Sequence, residues 1–310
     1  MKFLPLILIL FVFCSLTSCN KFKGDQEIPS YIRFEPWSLT TDYETEGAAT
    51  EAITDAWLYV DGNFVGCYEF LDHEDGKYAL APVLHEGTHD ITLAPGIKMN
   101  GISSTRIHYP FYHPLNIESY SFKPGVIDTI FPYTRYYHPD SSSVKFKMME
   151  DFEDINNIRL FKTSQSDTTV VQTSTSDPNT WLDPVSPEKY CHSGHVWIGD
   201  TLNYFCVASD ALYDLPNMGN YIILELDYKC EAEFEVGLFA KTKNGIEDIE
   251  LVMVRKSDDW KKIYINFSPS VTETTTADYF KFYLRGSVKE NEEANYYFDN
   301  IKLIYRDKEN

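Results

Sequence analysis

The sequence predicts an all-β chain of two tandem β-sandwiches behind an N-terminal export signal. Apolar and polar residues alternate at period two through most of the chain after residue 31, the pattern of half-buried antiparallel strands. "YIILELDY" sets Ile222, Leu224, Leu226 and Tyr228 on one face with Glu225 and Asp227 on the other, and "EFEVGLF" opposes Phe234, Val236 and Leu238 to Glu233 and Glu235. "KKIYINF" and "YFKFYLRG" repeat the arrangement through Ile263, Ile265, Phe267 and Phe280, Phe282, Leu284. Beyond the leader no stretch holds a sustained 3.6-residue apolar stripe with caps, so helices are expected to be few and short. The 22 Tyr and 20 Phe residues fit the same picture, because aromatic rings favour a pleated surface.

At the N-terminus, Lys2 precedes the apolar run "FLPLILILFVFCSL", and small residues follow it. That order makes residues 1–18 a secretory signal peptide. At about 14 residues the run falls short of the roughly 20 that span a bilayer. Leu16-Thr17-Ser18-Cys19 resembles the lipobox of bacterial lipoproteins. The resemblance implies that Cys19 opens the mature chain and carries lipid, palmitate included, with residues 19–27 as a lipid-anchored tether. Removing residues 1–18 leaves 26 basic against 47 acidic side chains, a net charge of about −21. Such a surface repels phosphate backbones and anionic head groups, which excludes nucleic acid as a partner and leaves lipid, not charge, to hold the chain to a membrane. The position after Cys19 is where lipoproteins of Bacteroidetes, which this leader resembles, carry acidic surface-export signals. Lys21 and Lys23 interrupt any such run here, so both the periplasmic and the cell-surface face of the outer membrane stay open.

"DAWLYVDGNFVGCYEF" then reads as two strands joined by a tight Asp61-Gly62 turn. "YALAPVLHEGTHDITLAPGIKMNGI" follows, and the order of turn, apolar-Pro-x-Leu, x-Glu-Gly-x-His and a β run ending in Pro-Gly resembles PEGA-type domains, small sandwiches of bacterial envelope proteins. The likeness spans residues 55–101 and implies an Ig/PEGA-like sandwich for residues 28–138, without a catalytic site. "LDHEDGK" is an insertion relative to that pattern. Within residues 55–101, His85-Glu86-Gly87-Thr88-His89 matches H-E-x-x-H, the zinc-peptidase signature whose histidines share one helix face. Gly87 inside the motif, Pro82 before it and the alternating "THDITL" after it oppose a helix. On one extended strand the two histidines would stand roughly 13 Å apart, too far for one zinc. Glu86-Gly87 is therefore expected to be a turn, with His89 opening the returning strand.

"FPYTRYYHPDSSS" gathers two prolines and a serine run, which marks a boundary and assigns residues 139–310 to a second domain. Its closing strand "ANYYFDNIKLIYR", with "DDWKKIYINFSP" and "SGHVWIG" before it, resembles the jelly-roll sandwiches that include many carbohydrate-binding modules. The resemblance implies a structural calcium between an acidic residue of the first strand and the Asp of the last, here Glu153 of "MEDFED" and Asp299. Jelly rolls of this kind contact glycans and proteins alike, so the fold alone does not choose between them.

Binding character is concentrated in aromatic residues. Tyr109, Phe111 and Tyr112 of "YPFY", with Tyr136 and Tyr137 of "TRYYHP", stand in Pro-bounded loops where rings are less readily absorbed into a core. They are expected either to present a binding face or to pack between the sandwiches. Cys67, Cys191, Cys206 and Cys230 remain in an oxidising compartment, and one pair among the last three fits the spacing as well as two bridges do. The clusters "CHSGH" and "HYPFYH" read as hydrogen-bonded or exposed histidines. With no G-x-S-x-G elbow, phosphate loop or kinase signature, no catalytic residue is assigned and the chain is expected not to be an enzyme. The function expected first is a component of an outer-membrane protein complex that docks on protein partners. The other reading is a glycan-binding lipoprotein of a saccharide-uptake system.

Overall fold

Asp61 and Gly62 both take left-handed backbone, with φ of 47° and 75°. They close the two-residue turn between strands Asp55–Val60 and Asn63–Glu69. The computed structural model describes residues 27–307 apart from 141 and 218; Cys19 lies outside them. The fold is all-β, and the helices among the described residues are short: Tyr43–Glu46, capped by the Asp42 carboxylate, and Ser268–Glu273, entered through a proline.

The first sandwich packs two sheets face to face. One runs in the order Ile127–Ile130, Ser30–Phe34, Gly76–Val83, Leu71–His73, and the other sets Asn63–Glu69 and Asp55–Val60 beside the long strand Gly87–Lys98. Arg106–His108 and Leu115–Phe122 share the far edge of that long strand. Alternation sends Ile32, Phe34, Ala79, Ala81 and Val83 inward from one sheet, against Ala56, Leu58, Val60, Ile91 and Leu93 from the other. Two pairings differ from the antiparallel expectation: Ser30–Phe34 with Ile127–Ile130 and Ser38–Thr40 with Tyr133–Arg135 are parallel. Entering and leaving chain lie side by side there, and nearly a hundred intervening residues make the crossover that a parallel pair requires.

The second sandwich is organised by its closing strand, Ala294–Arg306. Along one edge it pairs with Ile222–Cys230, which pairs in turn with Ser257–Asn266. Along its other edge it is shared: Gly194–Ile198 takes residues 294–298 and Val144–Glu150 takes residues 301–306, and Val171–Gln172 pairs beyond Gly194–Ile198 as the sixth strand of the sheet. Asp299 and Asn300 fall in the gap. The facing sheet has the order Leu160–Lys162, Tyr204–Ser209, Tyr279–Ser287, Phe234–Thr242, Gly245–Val254. Between the sheets lie Leu224, Leu226, Phe234, Val236, Leu238, Phe282, Leu284, Phe298 and Leu303.

The outward face of the six-stranded sheet is covered by the first sandwich. Val144, Ile223, Tyr264 and Ile304 of the second join the core cluster of the first. The loop after Lys98 extends the contact, with Asn100 donating its N–H to the Tyr264 carbonyl and accepting the Asn266 N–H on its side chain. The four cysteines among the described residues are free thiols, so neither expected pairing forms. Cys67 is exposed on the first sandwich, Cys206 is on the outward face of the five-stranded sheet, and Cys230 is in the core behind the other sheet. These three thus lie in different parts of the fold.

Candidate binding site

The aromatic residues nominated as a binding face line the junction between the sandwiches. Tyr109, Phe111, Tyr112 and Tyr136 are all at most 2% exposed, which corrects the reading of these four as a ligand platform. Tyr137 is half-buried, stacks against His113 and borders a surface cleft with His138 and Arg135. The cause of the burial is a polar lock. Period two puts Glu225 and Asp227 on the outward face of Ile222–Cys230, where the first sandwich covers them. Glu225 accepts hydrogen bonds from Tyr109 (2.5 Å) and Tyr136 (2.8 Å), and Lys262 lies 2.9 Å from it. The Lys262 ammonium also reaches Asp227 at 3.4 Å and donates to Thr50 at 3.0 Å. Lys302 donates to the Ala48 carbonyl at 2.7 Å. Burial alone would raise the Glu225 carboxyl, but Lys262 and Lys302 hold it below its ordinary value. The same burial pushes Lys302 down to about 7, with Lys262 adding to the effect. Buried charge is tolerated here because each group has partners.

The H-E-x-x-H motif forms no helix. Gly87, in left-handed backbone at φ 83°, opens strand Gly87–Lys98, which carries His89. The His85 and His89 rings nevertheless stand 4.9 Å apart, closer than the extended-strand estimate, because residues 85 and 86 turn back before the strand begins. His89 Nδ1 is 2.6 Å from an Asp61 carboxylate oxygen and Nε2 is 3.0 Å from the Glu86 carbonyl. Asp61, and then that carbonyl, raise its pKa. Each ring nitrogen thus faces an acceptor, an arrangement that favours N–H at both positions over a lone pair offered to a metal.

Glu153 and Asp299, the pair expected to hold calcium, are engaged separately. Glu153 accepts the His192 N–H, whereas Asp299, fully buried, accepts the Ser193 hydroxyl at 2.6 Å and the Asn300 N–H. Burial raises the Asp299 carboxyl well above its usual range. Calcium takes six to eight oxygens. Among the described residues, the three ligand atoms of His, Cys, Asp or Glu that converge within 4.8 Å come from Glu153, Cys191 and His192, without Asp299.

A cleft of about 480 Å³ opens at the seam. Residues 49–51 of the first sandwich form one wall. Trp181, Leu182, Pro184 and Val185, with Trp260, form the other, and Asp227 and Lys262 close the floor beside Glu51 and Lys261. Leu182 and Val185 are exposed on its rim. The Trp260 indole is fixed by donating to the Asn179 carbonyl at 3.0 Å. Turns built on carboxylates stiffen the loop that carries Trp181, with Asp183 accepting the Val185 and Ser186 N–H groups. Burial raises the Glu51 carboxyl despite the Ile53 N–H that it accepts. Burial raises Asp227 as well, against Lys262. Two indoles and several charged groups line one open cleft at a domain junction, which makes it a candidate ligand site. A second hollow, about 460 Å³, lies on the outward face of the five-stranded sheet, among Phe161, Phe239, Ile246, Tyr279, Lys281 and Asp248.

No protein-family model matches the chain, and no curated protein matches it. It is similar to several solved structures. A family 11 carbohydrate-binding module of the cellulosomal cellulase Lic26A-Cel5E of Clostridium thermocellum shares 16% identity, covering 50% of this chain and 94% of that one, at a TM-score of 0.33. A family 22 module of Clostridium thermocellum Xyn10B shares 13% over 52% of this chain and 92% of that one, at 0.36. The tailspike protein 4 of bacteriophage CBA120 shares 12% over 58% of this chain and 25% of that one, at 0.37.

Sequence reasoning missed the seam cleft, since its walls come from residues about 130 and 210 positions apart. The one local signal was the pair of tryptophans in polar, Pro- and Asp-rich surroundings, "NTWLDP" and "SDDWKK".

Proposed function

We propose that this protein is a non-catalytic, lipid-anchored outer-membrane protein that binds glycan in the cleft between its two sandwiches. The observation that carries the reading is the pairing of Trp181 and Trp260 around Glu51, Lys261 and Asp227 in one open cleft. Indole faces stack against the C–H faces of sugar rings, and carboxylates and ammonium groups satisfy hydroxyls of either hydrogen-bonding sense. Docking on a protein through the tyrosine-rich loops loses its surface, because four of the five rings are buried. Binding without cleavage is favoured by the state of Asp227, which is tied to Lys262 and to the Asn300 amide and is therefore not free to act beside Glu51 as an acid–base pair.

The test is an affinity gel loaded with a panel of polysaccharides, run with the mature chain. Retention on at least one glycan is expected, and Trp181→Ala and Trp260→Ala should each weaken it by about tenfold or more, equivalent to about 1.4 kcal/mol. Phe239→Ala, in the other hollow, should leave it unchanged. Absence of retention on every glycan, or loss only with Phe239→Ala, refutes the seam as the site.

A further inference from the structure

We infer that Glu153, Cys191 and His192 form a zinc-binding site on the edge of the second sandwich. The topology explains why residues nearly forty positions apart meet. Val144–Glu150 and Gly194–Ile198 share one edge of the closing strand, pairing with residues 301–306 and 294–298. The chain therefore leaves the first of them at the gap where it enters the second. Glu153 lies three residues beyond the one strand, and Cys191 and His192 lie just before the other. One ligand atom from each of the three comes within 4.8 Å of the others.

The surroundings hold these groups as a metal site requires. The His192 Nδ1 lies 2.7 Å from the Thr173 carbonyl, which can only accept, so Nδ1 carries the proton and Nε2 the lone pair. Glu153 is oriented by the His192 N–H at 2.9 Å, and its backbone is tied through the Gln172 amide, which donates to the Phe152 and Glu153 carbonyls. Thr173 is held from both sides, giving its N–H to the Ser193 carbonyl and accepting the Ser193 N–H on its hydroxyl. Cys191 makes one long contact, 3.9 Å from Sγ to the Glu188 carbonyl, and is half-buried, so its sulfur can turn without breaking a strong bond.

One thiolate, one imidazole and one carboxylate suit a borderline ion of the zinc class better than calcium, which takes oxygen alone. In a tetrahedral zinc site with the usual bond lengths, ligand atoms stand about 3.3 to 3.7 Å apart. The cluster would contract by about 1 Å, within reach of rotamer changes at Cys191 and Glu153. Three protein ligands leave the fourth position to water or an external donor. The bound ion would staple the residue 173–193 loop to the segment after Glu150. The site stands independently of the glycan reading.

The experiment uses the mature protein, stripped with a chelator and titrated with zinc in a calorimeter, then loaded with cobalt(II) as a spectroscopic substitute. One equivalent of zinc is expected, together with a thiolate-to-cobalt charge-transfer band. Cys191→Ser should abolish the band, and Glu153→Gln or His192→Ala should weaken zinc binding by about tenfold or more, on the scale of a lost ligand or its support. Cys67→Ser should change neither signal. The proposal is overturned by binding of less than half an equivalent, by a band that survives Cys191→Ser, or by one that disappears with Cys67→Ser.

Discussion

Glu225 is the residue on which the junction turns. It is fully buried, yet it faces two phenols and an ammonium group at 2.5 to 2.9 Å. Replacing it with Ala would leave Lys262 with Asp227 as its one carboxylate partner, beside Thr50, and two tyrosine hydroxyls without their carboxylate acceptor. Removing one partner of a buried ion pair typically costs about 3 to 5 kcal/mol. We expect Glu225→Ala to destabilise the protein by about that amount in a urea titration, and a loss below about 1 kcal/mol would refute the lock. Glu225 and Lys302 both hold a lowered pKa in the fold, so both make stability rise with pH, Lys302 in the higher window. The Lys302 pKa is about 7 in the fold against an ordinary 10.5, so between those values the unfolded chain binds more protons than the folded one. Stability therefore rises with pH across that window, and the penalty of holding the amine in the fold is fully present below it. Lys302→Met should flatten the rise between about pH 7 and pH 10, measured by denaturation midpoints; an unchanged slope would count against a buried neutral amine. Half of this was legible in the sequence. Period two assigned Glu225 and Asp227 to the face opposite Leu224 and Leu226, but that pattern equates "away from this core" with "toward water". It has no means of showing a second domain laid over the polar face.

At the scale of elements, the outward face of the five-stranded sheet shows what a small residue permits. Gly237 pairs across from Tyr283, and a Cβ built on it would fall 2.2 Å from the tyrosine hydroxyl and 2.5 Å from the Ile249 carbonyl. The missing side chain lets the ring lie flat on the sheet. There it packs against Phe239 at 4.5 Å and donates to Glu235 and Asp248. Arg285 binds the same two carboxylates and Glu250. Gly237→Ala should cost about 1 to 3 kcal/mol by overpacking against backbone that cannot move, and the double change Gly237→Ala with Tyr283→Ala should recover part of it. Equal losses in the single and double variants would exclude the clash. Strands and turns were the most readable feature of the chain: Asp61-Gly62 forms its hairpin, and the four quoted alternating segments match strands to within one residue. The approach of His85 to His89 was not readable. It depends on where a strand starts, and one residue at the Gly87 bend changes a separation along the strand into a ring contact.

The whole molecule is expected to unfold as one body rather than as two modules on a linker. The core cluster of the first sandwich takes in Val144, Ile223, Tyr264 and Ile304 of the second, and Glu225, Lys262 and Lys302 of the second take hydrogen-bond partners from the first. We expect one calorimetric transition for the mature chain, with the van't Hoff and calorimetric enthalpies equal. Residues 139–310 produced alone should be aggregation-prone, since they would expose that apolar patch and the charges set within it. Two separable transitions, or a soluble and folded isolated fragment, would show that the seam is incidental. The sequence announced two sandwiches through composition and a Pro- and Ser-rich break, but the extent of their fusion is carried by contacts between positions more than a hundred residues apart.

The closing strand has a further consequence for biogenesis. Ala294–Arg306 follows every other described strand in the chain, yet it sits inside its sheet, with neighbours on both edges. Until it has been synthesised, Ile222–Cys230 lacks one neighbour, and Gly194–Ile198 and Val144–Glu150 lack a partner that joins them to it. The second sandwich cannot be completed strand by strand as the chain emerges. It must wait, with edges open, for Ala294–Arg306 to arrive, so the strand that joins both halves of the sheet is set in place late.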